Sequence, residues 1–179
     1  SGIERAAVLA MPLELHDEAI GAALAVAREA GVRTIVNPAP ARALPREWLA
    51  GIDVLRSERF ASLSGRRIGL ITNSSGVDGH LVPTADRLAR DPRVQLVQLY
   101  GPEHGIRGEV PAGDPVEDAR DPVTGLPVQS LYGRTRRPTP ESLTGVDALL
   151  FDIQDIGSRT YTYISTLGEA MRACAEHRK

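Results

Sequence analysis

The chain is poor in several kinds of residue, and these shortages limit the bonds, partners and kind of core that it can have. It has a single cysteine, Cys174, which excludes a disulfide within the chain. Aromatic residues make up only 4% of it, so we expect a core of alanine, valine, leucine and isoleucine. A formal net charge of −2 gives no sign of a nucleic-acid partner or a charged membrane surface. No apolar run approaches the ~20 residues of a membrane span.

The ends and the size of the chain set further expectations. The first five residues carry no basic and apolar leader, so we expect no signal peptide and a cytoplasmic location. The missing initiator methionine indicates a processed or partial chain. With 179 residues, 42% of them hydrophobic, the chain suits one soluble domain or a domain plus a fragment. Nothing in the sequence predicts an oligomeric state.

Short apolar runs alternate with helical patterns along the chain. Strands are predicted over 6–10, 32–36, 67–72, 94–100, 128–131 and 146–152, and helices over 18–30, 45–49, 84–90, 140–143 and 161–177. Residues 52–55 fit either a strand or the start of a helix. The loop-like segment 101–138 is long enough to be either functional or disordered. This order of elements predicts an α/β fold, a Rossmann-like, doubly wound, mostly parallel sheet with helices on both faces.

Two acidic motifs directly follow predicted strands and are the most informative feature of the chain. GPEHG occupies 101–105 and FDIQD occupies 151–155. Because the carboxyl ends of parallel strands share one edge of a sheet, we expect Glu103, His104, Asp152 and Asp155 to project from neighbouring strands into one crevice. Paired carboxylates in a crevice are what glycoside hydrolysis needs. A divalent metal site is an alternative, but no tight ligand spacing supports it.

From about residue 51 onward the chain resembles the NamZ-type exo-β-N-acetylmuramidases, glycosidases of peptidoglycan and cell-wall recycling. The shared motifs, in order, are GRRIGLITN (65–73), GVD (76–78), GPEHG (101–105), GLPV (125–128), SLYG (130–133), PTP (138–140), FDIQDIGSR (151–159) and YTYIST (161–166). The resemblance implies that residues 51–179 form the N-terminal part of a Rossmann-type catalytic domain, without the family's C-terminal domain. It implies release of terminal N-acetylmuramic acid from a muropeptide or muramyl sugar substrate, with no cofactor.

Residues 1–50 resemble instead an internal piece of a ribokinase-like sugar kinase. That resemblance rests on the β-α-β unit 8–36 and on the motifs AREAGV (27–32) and NPAPA (37–41). Such kinases need a Gly-Ala-Gly-Asp type anion hole, and the sequence contains no such stretch. Two alternatives therefore stand beside the hydrolase: an inactive chimeric α/β fragment or scaffold joined near 51–55, and a sugar kinase.

Three carboxylates are the catalytic candidates. Glu103 is the first candidate for the proton donor, because it follows a buried strand and Pro102, and a partly desolvated carboxyl suits a general acid. Asp152 or Asp155 is the partner that activates water or stabilises the oxocarbenium ion. Helix capping, or an ion pair with Arg159, is the structural alternative for the aspartates.

The resemblance also implies a site for the lactyl carboxylate of N-acetylmuramic acid. Arg159 suits this role, with Arg107 as the competing candidate, because a guanidinium fork binds a carboxylate through two hydrogen bonds. An internal ion pair is the alternative for either arginine. His104 is a candidate for binding a sugar hydroxyl or orienting Glu103, and bracing of its own loop is equally compatible with its position.

Four more residues complete the predicted substrate site, and no metal ligands are predicted. Asn73 suits the acetamido group of the sugar, or an Asx turn after its strand. Gln154 lies between the two aspartates of the second motif. Tyr161 and Tyr163 suit stacking on the sugar or hydrogen bonding to it, with core packing as the alternative.

Overall fold

A five-stranded, mostly parallel sheet with helices on both faces dominates the computed structural model. This α/β architecture is the one that the sequence predicts. The structure describes residues 8–12, 33–37, 51–155 and 161–179, together with parts of 22–30.

Two strands of the N-terminal segment form a small sheet of their own. Strands β1 (Val8–Pro12) and β2 (Arg33–Asn37) pair in parallel with each other. Within the described residues, neither strand pairs with the five-stranded sheet. Both lie within two residues of the strands predicted over 6–10 and 32–36. The helix predicted over 45–49 lies outside the described residues.

The remaining elements build the main sheet and its helices. The strands are β3 (Arg67–Thr72), β4 (Gln95–Gly101), β5 (Ala119–Arg120), β6 (Pro127–Ser130) and β7 (Ala148–Asp152). The helices are α1 (Ile52–Ser57), α2 (Thr84–Arg90) and α3 (Tyr163–His177), with a 3₁₀ turn at Ala61–Leu63. The ambiguous segment 52–55 is therefore helical.

The order of the strands makes the sheet doubly wound. Across the sheet the order is β5, β6, β4, β3, β7, and only β5 runs antiparallel. From β3 the chain builds outward through β4 and β6, and then returns to the other side of β3 as β7. The direction of winding thus reverses between β3 and β7, and such a reversal marks the ligand-binding crevice of open α/β sheets.

Alternation along the strands divides the core between the two faces of the sheet. On one face Ile68 and Leu70 of β3 are fully buried in a cluster with Leu88 of α2. On the other face Ile71 of β3 is fully buried in a cluster with Ala173 of α3. Because α2 and α3 cover opposite faces, successive side chains of one strand meet different helices.

The predicted helix over 140–143 is wrong. The segment is a turn, in which the Leu143 amide donates to the Thr139 carbonyl at 3.0 Å. It ends at Gly145, whose φ of +78° is strained for other residues and stops further helical winding. The short antiparallel strand β5 was not predicted, and it lies in the segment 101–138.

An ion-pair cluster anchors the loop that follows β4. The Arg107 guanidinium donates two hydrogen bonds of 2.8 Å to the carboxylate of Asp121 and one of 2.7 Å to Asp86. Burial raises the pKa of Asp121, but the hydrogen bonds from Arg107 and Thr124, with the Arg107 charge, outweigh burial and lower this pKa to about 2. Arg107 therefore connects the loop after β4 to α2 and to the β5–β6 hairpin.

Acid should remove the stabilisation that Asp121 provides. Since the pKa of Asp121 in the folded state lies below that of a free carboxyl, its stabilisation is present above about pH 4 and is lost towards about pH 2. The shift corresponds to on the order of 2 kcal/mol. In urea unfolding, the gap in free energy of unfolding between the wild type and Asp121→Asn should narrow by roughly that amount between about pH 7 and about pH 2.5. An unchanged gap would contradict the assigned pairing.

Candidate active site

The carboxyl ends of three strands bring the predicted site residues to one edge of the sheet. Asn73 follows β3, Glu103 lies in the turn after β4, and Asp155 lies just beyond β7. The expectation that the two acidic motifs follow neighbouring strands is wrong, because β3 lies between β4 and β7. With about 4.8 Å between adjacent strands, the backbones of β4 and β7 lie about 10 Å apart. The candidate site therefore spans three strands.

The phenol of Tyr163 is the point at which these residues meet. Its side chain is buried in the first turn of α3, and the side chain of Asn73 lies close enough to act on its ionisation. Burial raises the pKa of the Tyr163 phenol, the side chain of Asn73 opposes that rise, and the charges of Glu103 and Asp155 add to it. Both carboxylates therefore lie close enough to one phenol to act on its ionisation.

Glu103 is half-buried and held by the start of helix α3. Its Oε2 atom accepts a hydrogen bond of 3.0 Å from the hydroxyl of Thr162, the N-cap residue of that helix. The preceding residue, Pro102, is fully buried and fixes the turn after β4. This carboxyl is thus partly removed from water, as the sequence predicts, and its position is set by two elements.

His104 braces the loop that carries Glu103. Its backbone has a φ of +72°, in the left-handed region, and the following Gly105 has a φ of +76°. The ring Nδ1 lies 3.0 Å from the carbonyl oxygen of Val110, to which it donates when protonated. Of the three roles considered for His104, the contacts favour loop bracing.

Asp152 faces the opposite side of the sheet from the Glu103 cluster. Phe151 and Ile153 pack into the core beneath α3, so alternation directs the intervening Asp152 towards α2. There its Oδ2 atom accepts a hydrogen bond from the Thr84 hydroxyl. Burial raises the pKa of Asp152, this hydrogen bond opposes the rise, and the charge of Asp53 adds to it. The structure therefore groups Asp155, and not Asp152, with Glu103.

The loop after β3 is tied to the end of β7. Asn73 Oδ1 accepts hydrogen bonds from the amide and the hydroxyl of Ser75, at 2.9 and 2.6 Å, which is an Asx turn. The Ser75 hydroxyl oxygen in turn accepts the amide of Gln154 at 2.9 Å. Asn73 thus takes the structural role that was the alternative to acetamido binding. These bonds fix the backbone immediately before Asp155.

Arg107, one of the two arginines predicted to bind a substrate carboxylate, is paired with acidic residues of this chain. Its guanidinium is hydrogen-bonded to Asp121 and Asp86. The hydrogen bond to Asp121 is the main cause that raises the pKa of Arg107. This is the internal ion pair that the sequence left open. Arg159, the other candidate, lies outside the described residues.

Tyr161 presents an aromatic surface at the same edge. Its side chain is 44% exposed, and its ring stands edge-on to that of Tyr163, with the two centroids 6.0 Å apart. Tyr163 is the buried, anchored member of this pair. Tyr161 is therefore the one of the two tyrosines that offers a face to a ligand.

Thr162 and Ser75 make contacts within the candidate site, although neither was a predicted site residue. A signal for Thr162 was available, since a threonine directly before a helical pattern indicates an N-cap. Its contact with Glu103 joins residues 59 positions apart, and no local pattern indicates such a contact. Ser75 lies in a polar loop where any hydroxyl has many local partners.

The described residues contain no group of three or more histidine, cysteine, aspartate or glutamate side chains placed to hold a metal ion. No helix among them is both long and apolar enough to cross a membrane. Cys174 is half-buried on α3, and burial raises the pKa of its thiol.

Comparison with known proteins identifies the family. Residues 68–179 match the family model described as exo-beta-N-acetylmuramidase NamZ, N-terminal. The chain is 52% identical over 127 residues to the peptidoglycan beta-N-acetylmuramidase NamZ of Bacillus subtilis (strain 168). That alignment covers 71% of this chain and 31% of the relative.

Two crystal structures of DUF1343 family proteins from Bacteroides fragilis are similar to this chain. The first is 57% identical with a TM-score of 0.66, and it matches over 72% of this chain and 32% of its own length. The second is 32% identical with a TM-score of 0.56, and it matches over 69% of this chain and 30% of its own length. The chain thus spans about a third of the length of the relatives it matches.

These matches bear differently on the two resemblances read from the sequence. They support the muramidase resemblance, and they do not support the sugar-kinase resemblance of residues 1–50 or the chimera it implied. The parallel pairing of β1 with β2 carries no information on a kinase site. The chain belongs to the NamZ exo-β-N-acetylmuramidase family, whose N-terminal model matches it over residues 68–179.

Proposed function

We propose that this chain carries the catalytic carboxylates of a glycoside hydrolase that releases terminal β-linked N-acetylmuramic acid from peptidoglycan fragments. The observation that carries the proposal is the placement of Glu103 and Asp155 around one buried phenol at the carboxyl edge of the sheet. The Bacillus subtilis relative, named as a peptidoglycan beta-N-acetylmuramidase, supports the same chemistry. The released sugar would enter cell-wall recycling.

Glu103 acts as the general acid in this proposal. Its carboxyl is half-buried beside the first turn of α3, so it is screened from bulk water yet open to a substrate at the edge. Protonation of the glycosidic oxygen by a positioned carboxylic acid lets the leaving sugar depart as an alcohol. The reaction requires only this proton and a water molecule, and no cofactor enters it.

Asp155 acts as the partner carboxylate. It lies beyond β7, two strands from the end of β4, and the bonds of Ser75 to Asn73 and Gln154 hold the preceding backbone in place. From there it activates the attacking water or stabilises the positive charge that develops on the sugar ring. Asp152, on the other face, supports the fold through Thr84.

Aromatic and cationic groups complete the proposed substrate site. The exposed Tyr161 stacks on the sugar, while Tyr163 holds the first turn of α3 against Asn73. Arg159 remains our candidate for the lactyl carboxylate, since the guanidinium of Arg107 is already paired. His104 and Gln154 position the two acidic loops through the contacts described above.

Replacing Glu103 should abolish hydrolysis and leave the fold intact. The Glu103→Gln variant keeps the shape and the hydrogen-bond acceptor but has no proton to donate, so kcat should fall about 10²- to 10⁴-fold. The assay is release of N-acetylmuramic acid from a disaccharide that carries this sugar, β-linked, at its non-reducing end. The matched control is Glu141→Gln, at an exposed glutamate, which should retain wild-type activity. Undiminished hydrolysis by Glu103→Gln would eliminate the proposed acid.

The two aspartates of the second motif should behave differently. Asp155→Asn should lower kcat on the same disaccharide by about 100-fold or more, because it removes the partner carboxylate. Asp152→Asn should leave kcat within roughly threefold of wild type, because an amide can still accept the Thr84 hydroxyl on the far face. If Asp152→Asn proved the more damaging to kcat, the assignment of the partner carboxylate would be reversed.

A further inference from the structure

Thr162 uses its hydroxyl in an unusual way for the first residue of a helix. It is the N-cap of α3, and an N-cap threonine normally accepts a hydrogen bond from an amide of the first turn. Here no side-chain capping bond is made, and the hydroxyl instead donates to Oε2 of Glu103 at 3.0 Å. The first turn of α3 thus has no side-chain cap from Thr162, and the carboxylate of Glu103 accepts the hydrogen bond of that hydroxyl instead.

The start of α3 is held rigidly, so this hydroxyl has a fixed position. Tyr163 is buried, and the side chain of Asn73, in the loop after β3, lies near its phenol. The carbonyl of Thr162 accepts both the amide and the hydroxyl of Thr166, at 3.0 and 3.3 Å. Ala170 and Ala173 continue the buried face of the helix beneath the sheet. The donor therefore reaches Glu103 from the packed start of a helix, outside the loop that carries Glu103.

A donor on one carboxyl oxygen decides which oxygen carries the proton. A protonated carboxylic acid has one O–H group and one carbonyl oxygen, and only the latter accepts a hydrogen bond well. As long as the Thr162 hydroxyl donates to Oε2, that oxygen serves as the carbonyl oxygen and the transferable proton resides on Oε1. The same bond fixes the rotation of the carboxyl group, which proton transfer requires.

We propose that Thr162 is a positioning residue that keeps the proton of Glu103 on Oε1 and aims it at the glycosidic oxygen. This inference rests on the proposed function, because it concerns the same acid. It predicts a defect confined to the step that needs the proton. Hydrolysis of substrates whose leaving groups depart without protonation should be little affected.

The test compares Thr162→Val, which removes the hydroxyl at constant shape, with Thr162→Ser, which keeps it. Each is assayed on the N-acetylmuramic acid disaccharide and on the 4-nitrophenyl β-glycoside of the same sugar, whose leaving group needs little protonation. Thr162→Val should lower kcat on the disaccharide about 10- to 100-fold, with KM little changed, while retaining most of its activity on the aryl glycoside. Thr162→Ser should recover most of the disaccharide activity.

Other results of these assays would overturn the inference, the proposed function or both. Equal losses by Thr162→Val on both substrates would identify a structural role and overturn the inference, as would undiminished disaccharide hydrolysis. Glu103→Gln is assayed in parallel with Thr162→Val. Its loss of activity on the disaccharide should exceed its loss on the aryl glycoside by a larger factor than for Thr162→Val. If Glu103→Gln shows this difference between the substrates and Thr162→Val does not, the inference fails and the proposed function stands. If the wild type cleaves neither substrate, the proposed function fails and the inference fails with it.

Discussion

Backbone pairing of the central strand β3 with β4 on one side and β7 on the other is the constraint on which the site depends. The register sets Ile71 opposite Tyr100 of β4 and opposite Phe151 of β7, so the three strands end nearly level. Since all three run in the same direction, their carboxyl ends lie along one edge. Two acidic segments far apart in sequence thereby reach the same cluster, although no strand hydrogen bond joins β4 to β7. Loss of either pairing would separate Glu103 from Asp155.

Alternation along β7 then decides which acidic residues take part. A side chain that points away from α3 meets α2, and Asp152 follows this rule through its bond to Thr84. Beyond the strand end the chain turns, and Asp155 lies near the Tyr163 phenol. The fold thus separates two aspartates that the sequence places three residues apart. Asp152 contributes to the packing between β7 and α2, and Asp155 lies on the side of the sheet that carries α3.

Local patterns in the sequence predicted the elements well, and non-local contacts account for the misses. The strand over 67–72 and the helix over 84–90 match β3 and α2, because apolar periodicity and the residues that end each element are local signals. The edge location of the site followed from the rule for parallel sheets. The insertion of β3 between β4 and β7 depends on strand order, which no local pattern encodes. The choice between the two roles of Arg107 stayed open for the same reason, since its partners lie 14 and 21 residues away.

The chain corresponds to about a third of the length of its relatives, and it contains Glu103, Asp155 and the helix start that is bonded to Glu103. The most direct measurement of this account is a crystal structure of the chain with N-acetylmuramic acid bound. We expect a sugar at the carboxyl edge of β3, with Glu103 and Asp155 on either side of its anomeric carbon and Thr162 still bonded to Glu103. A sugar bound at another face, or an anomeric carbon beyond the reach of both carboxylates, would contradict it.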